Sequence, residues 1–188
     1  ADGMLYYKNG VYYMGAESRI AEMCGSLVQD CKSSDVYEIC NTSRRLTYVE
    51  RKDFDKDPMK INLLNGVVDV MTGEVFDHSP NDLYRNCVPV TYDPNVLPVE
   101  VPKFLRECHL GDQYKYLNLI EEISYTLLRE QTFQLAFMYT GSGSNGKSVW
   151  LDWIQKFFGH ENCANQSLHS LAMNRFAAAD LDGQLLNI

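Results

Sequence analysis

Gly141-Ser142-Gly143-Ser144-Asn145-Gly146-Lys147-Ser148 fills the template G-x-x-x-x-G-K-[ST] at every fixed position. Glycines at these places let the backbone fold tightly and point successive N–H groups inward, where they can meet phosphate oxygens. A lysine at position 147 reaches the β/γ-phosphates of a nucleotide, and the Ser148 hydroxyl is placed to ligate Mg²⁺. The flanks agree with this reading. Leu135-Ala136-Phe137-Met138-Tyr139 is a continuous apolar run, as expected of a strand buried on both faces. After the loop, Trp150, Leu151, Ile154, Phe157 and Phe158 recur at helical spacing until Gly159, a natural stop. Strand, glycine loop and helix N-terminus together predict an anion site that takes ATP and Mg²⁺, with Gly141 through Ser148 as the binding residues and Lys147 as the catalytic cation.

Bulk composition narrows the rest. The 188 residues are 45% apolar and 22% charged, enough for one large domain or two small ones. No apolar run approaches the ~20 residues of a membrane span, so no membrane partner is expected. The six cysteines (24, 31, 40, 87, 108, 163) include no C-x-x-C pair, and the four histidines form no ligand cluster. Cys24 and Cys31 are expected to share a helical face as buried thiols, and a reducing cytoplasm suits the set. The net charge is −8, with 15 acids against 10 bases in residues 1–95 and 10 against 7 in residues 96–188. Neither half carries the electrostatic footprint of a general nucleic-acid binder.

Along the chain, Leu5-Tyr6-Tyr7-Lys8-Asn9-Gly10-Val11-Tyr12-Tyr13 predicts a hairpin, Asn-Gly supplying two positive φ angles between aromatic strands. Ile20, Met23, Cys24, Leu27, Val28 and Cys31 make a helical stripe. Ser33-Ser34-Asp35 caps a second helix carrying Val36, Ile39, Cys40 and Leu46. Strands are expected at Ile61–Leu64, Val67–Val70 and Glu74–Asp77, giving an α+β N-terminal module over residues 1–92. Residues 93–102 hold three prolines and suit an extended connection. Helices around Phe104–Cys108 and Leu117–Leu128 then lead to the glycine loop, so residues 103–188 read as the first part of an α/β P-loop domain. Gln184-Leu185-Leu186-Asn187-Ile188 is strand-like, but no acidic residue follows it to support Mg²⁺. The expectation is a chain cut inside its nucleotide-binding domain, and therefore inactive alone as an ATPase.

The ordered blocks Lys8-Asn9-Gly10-Val11-Tyr12, Ile61 to Val70 with Thr72-Gly73-Glu74, Val90 to Pro94, Gly141 to Ser148, and Arg175-Phe176-Ala177 through Asp180-Leu181-Asp182-Gly183 to Ile188 together resemble the phage and plasmid primase–helicases of helicase superfamily 3. The resemblance implies a poxvirus-type primase-associated N-terminal module joined to an AAA+-like core. It implies an ATP-dependent replicative DNA helicase working as a hexameric ring beside a primase, with DNA gripped by elements past residue 188. Two other classes compete: a small-molecule phosphotransferase, which leaves residues 1–92 unexplained, and a protein-interaction module with a vestigial loop, against which the intact Lys147-Ser148 pair argues.

Overall fold

The computed structural model describes residues 3–129, 133 and 135–188. The chain folds as two compact units, Ala1–Lys56 with His78–Arg85, and Asp57–Asp77 with Asn86–Ile188. This division differs from the expected one at the proline-rich connection. Leu63, Val68 and Val88, from the anticipated N-terminal module, share a hydrophobic core with Leu105, Ile123, Trp150, Ile154 and Phe158. A shared apolar core outweighs a run of prolines in deciding which residues fold together.

The first unit opens with the hairpin of β1 (Leu5–Lys8) and β2 (Val11–Met14). Asn9 and Gly10 both take positive φ, 48° and 83°, as a two-residue hairpin turn requires. The register pairs Tyr6 with Tyr13 and Tyr7 with Tyr12. Tyr12 also meets the edge of Phe54 and donates its hydroxyl to the Pro80 carbonyl at 2.9 Å. Cross-strand packing thus accounts for these rings. Helices α1 (Ala16–Leu27) and α2 (Ser33–Leu46) follow. Ser33-Ser34-Asp35, expected as a cap ahead of α2, instead form its first turn; Lys32 is the cap, and the Asp35 carboxylate accepts the Lys32 N–H at 3.0 Å. Cys31 lies outside α1, because the helix ends at Leu27 and Val28 is already extended at φ −118° and ψ 113°, so the face that Cys24 occupies does not reach it. Of the apolar residues expected on this helix, Ile39 and Leu46 are 44% and 79% exposed, and Cys40 is the buried residue of α2.

The second unit contains an antiparallel sheet of β3 (Lys60–Leu63), β4 (Gly66–Asp69) and β5 (Val75–Phe76). Each of these strands lies within one residue of its expected place, because Asn65-Gly66 and Met71-Thr72-Gly73 punctuate them. Three helices follow: α3 (Glu100–Cys108), α4 (Gln113–Leu127) and α5 (Lys147–Phe158). Pro102 sits in the first turn of α3, where a missing N–H leaves no intrahelical bond unmade. A two-stranded parallel pair joins β6 (Cys163–Ala164) to β7 (Leu186–Asn187), with the short helix α6 (Leu168–Met173) between them. The strand-like tail is therefore paired.

Leu135–Tyr139 does not form the expected strand. Its backbone is irregular, and Leu135, Phe137 and Met138 are exposed, Met138 by 85%. A strand exists only through a partner's hydrogen bonds. Among the described residues no strand runs beside this segment. Apolar character alone predicted burial that pairing does not supply. Among the described residues, no helix is long and apolar enough to cross a membrane.

Candidate functional site

The eight loop residues are brought to the N-terminus of α5. Lys147 is its first helical residue and Gly146 the cap, at φ 81° and ψ −2°. Gly143 and Ser144 also take positive φ, 102° and 48°, so the chain reverses tightly between Gly141 and α5. Ser142, Gly143, Ser144 and Asn145 are exposed, Gly146 and Lys147 are half-buried, and Ser148 faces out from the first turn. The leading N–H groups of a helix lack intrahelical partners, and the helix dipole adds positive potential there.

Lys147 folds back over the loop. Its ammonium donates to the Asn145 side-chain carbonyl at 2.8 Å and to the Gly141 carbonyl at 3.2 Å. A Cβ on Gly141 would lie 2.0 Å from Asn145 Nδ2, so the exposed Asn145 side chain closes over Gly141 and a larger residue there would have to displace it.

Beneath the loop, α5 is anchored by Trp150, Ile154 and Phe158, the last fully buried. Trp150 stacks on Trp153 at 4.9 Å between ring centres, and Trp153 on Phe157 at 5.1 Å. The Trp150 indole N–H donates to the Tyr139 hydroxyl at 3.2 Å, and that hydroxyl donates to Glu122 Oε1 on α4. Glu122 is only 9% exposed, and burial pushes its carboxyl above the ordinary value, against a smaller downward pull from Tyr139. Burial and the Glu122 contact push the Tyr139 hydroxyl up as well.

At the far end of α5, Asn162 donates to the carbonyls of Phe158 and Cys87 at 2.7 and 2.8 Å. Asn86 in turn donates to Asn162 Oδ1 at 3.1 Å and to the Gly183 carbonyl at 2.8 Å. These buried amides tie α5 to the segment after the sheet and to the approach to β7. Burial, with the Glu161 carboxylate adding to it, pushes the nearby Cys87 thiol to about 11. Among the described residues, no group of three or more His, Cys, Asp or Glu could hold a metal ion. Ser148 therefore stands alone as the residue to which sequence assigns one.

Sequence reasoning missed Glu122, Asn86 and Asn162. Glu122 was legible in one respect. Leu119, Glu122, Ile123 and Thr126 follow i, i+3, i+4, i+7, and that is the face α4 turns inward. Of the apolar stripe Leu117, Ile120, Ile123, Leu127 and Leu128, Ile123 and Leu127 do reach the core, whereas Leu117 and Ile120 are exposed.

Residues 13–159 match the family model described as D5 N terminal like, most of the chain and all of the glycine loop. The chain belongs to this family. Its members are N-terminal domains of phage and viral primase–helicase D5-like proteins, which bears out the expected kinship at that level. No curated protein matches the chain. The D5 N-terminal-like match runs from the end of β2 through the three-stranded sheet and α5, so the loop at Gly141–Ser148 stands inside a family-matched frame.

Proposed function

We propose that this chain carries the nucleotide-binding loop of an ATP-dependent replicative DNA helicase of the primase–helicase kind. In this reading Gly141, Gly143 and Gly146 give the backbone its cradle, and the amides from Ser142 to Ser148 face the phosphates. Lys147 pairs with the β/γ-phosphates and the Ser148 hydroxyl ligates Mg²⁺. The bound Mg²⁺ would neutralise charge on the β- and γ-phosphate oxygens. The observation that carries the reading is the coincidence of Lys147 and Ser148 with the first two residues of α5, just after a left-handed Gly146. The outer side of the loop is open: nothing lies within 4 Å of a Cβ built on Gly143. In the whole protein the same reading includes a hexameric ring, a primase partner and DNA held by other elements, in the cytoplasm of a host cell carrying a phage or plasmid.

Family membership favours this over a small-molecule phosphotransferase, for which the match over residues 13–159 has no role. Equilibrium dialysis of the chain against Mg–ATP tests it. Saturable one-to-one binding that Lys147→Ala weakens at least about tenfold, the loss of one charge-assisted contact, is expected. Equal binding by the variant would place any nucleotide elsewhere.

A further inference from the structure

We infer that Glu122, Tyr139 and Trp150 form a positioning clamp that holds both arms of the glycine loop against α4, and that phosphate binding depends on it. The second half rests on the function proposed above; the first does not.

Tyr139 lies two residues before Gly141, and Trp150 two residues after Ser148. The Trp150 indole and Tyr139 hydroxyl therefore join the incoming arm to the outgoing one, and Glu122 fastens the joint to α4. The incoming arm needs such a tether. Among the described residues, no strand lies beside residues 135–140 and no backbone hydrogen bond holds them. A loop whose amides must converge on one anion gains affinity from being ordered beforehand, because less freedom is lost on binding. The outgoing arm is already fixed by α5 packing in the core. The side-chain clamp thus takes over on the incoming side the role that sheet pairing has elsewhere. Its members are half or fully buried, which strengthens each hydrogen bond relative to water.

Glu122, Tyr139 and Trp150 touch no ligand; they act through the loop. Tyr139→Phe keeps the ring and deletes both hydrogen bonds. Glu122→Gln keeps an acceptor for the tyrosine hydroxyl, and Glu122→Leu removes it while keeping bulk. Two readouts apply to the whole chain: amide hydrogen exchange at residues 141–149 without ligand, and the dissociation constant for Mg–ADP. Tyr139→Phe and Glu122→Leu are expected to speed loop exchange and weaken Mg–ADP by about tenfold, the worth of one net hydrogen bond. Glu122→Gln is expected to stay within about twofold of wild type, a rescue that general loss of packing would not give. Wild-type loop exchange in Tyr139→Phe and Glu122→Leu overturns the clamp, as does a Glu122→Gln variant as loose as Tyr139→Phe. Wild type that binds no Mg–ADP overturns the nucleotide reading and the dependence on it, and the exchange arm then decides the clamp by itself. Should Tyr139→Phe lose its fold, the Glu122→Gln and Glu122→Leu pair decides the same question.

Discussion

The Cys108 thiol occupies the place where a side chain on Gly146 would begin: a Cβ there would lie 2.6 Å from Cys108 Sγ and 3.2 Å from Phe104 Cζ. The last turn of α3 is packed directly against the cap of α5. The glycine that lets the loop enter its helix is thus fixed twice, by a left-handed backbone and by a neighbour that leaves no room.

Gly146→Ala should therefore be costly on both counts. Overpacking costs about 1–3 kcal/mol, and the left-handed backbone about 1–2 kcal/mol more for a residue with a Cβ. Cys108→Ala in the same chain should recover the steric part and leave the backbone part. Urea unfolding of the single and double variants measures both. A Gly146→Ala chain as stable as wild type would contradict the packing at this junction.

Glu122 gives a pH dependence of definite sign. Its folded pKa is raised, so the folded state binds the proton more tightly than the unfolded one. That contribution is fully present below the ordinary value of 4.5 and is lost as pH rises through the folded value. Glu122→Gln cannot ionise, so the melting temperature of wild type should fall relative to this variant across that window. A difference that stays flat, or widens the other way, would contradict burial of an ionisable group there.

What could be read from the residues was whatever local chemistry decides. Asn9-Gly10 and Gly159 fixed a turn and a helix end, because a positive φ is decided locally at each of these positions. The glycine-rich turn that enters α5 was legible for the same reason. Segments whose state depends on distant partners were not. Leu135–Tyr139 has the composition of a buried strand yet pairs with no strand among the described residues, and Ile39 and Leu46 are apolar yet exposed. Glu122 and the Asn86–Asn162 pair carry no signal of their own, since a buried polar group makes sense only beside the one it bonds.

Limited proteolysis should separate covalent from non-covalent continuity. Residues 93–99 are exposed and lie outside any helix or strand, so they are the natural site of first cleavage. Leu63, Val68 and Val88 on one side of that site share a core with Leu105, Trp150 and Phe158 on the other. The nicked pieces should co-elute on gel filtration under native conditions and part in urea. Pieces that separate without denaturant would restore a boundary at the prolines.

DNA binding by this chain should be weak. Its net charge is −8, and acids outnumber bases in both halves. The cationic Arg44 and Lys52 are already engaged by Glu17 and Glu50. Tight binding needs clustered free cations and falls steeply with salt. Fluorescence anisotropy with single-stranded and duplex oligonucleotides at ~100 mM salt should show no micromolar binding. Binding of that strength, lost on Tyr13→Ala, would instead make the half-exposed hairpin tyrosine a base-stacking surface.

The central claim is that Gly141–Ser148 binds the phosphates of a nucleotide, and thermal unfolding with Mg–ADP tests it most directly. At about 100 times the dissociation constant the ligand should add about 2.7 kcal/mol, raising the melting temperature by roughly 5–11 °C. Lys147→Ala should abolish most of that rise while melting near wild type without ligand. Equal melting with and without millimolar Mg–ADP, or a rise that Lys147→Ala leaves intact, would contradict the account.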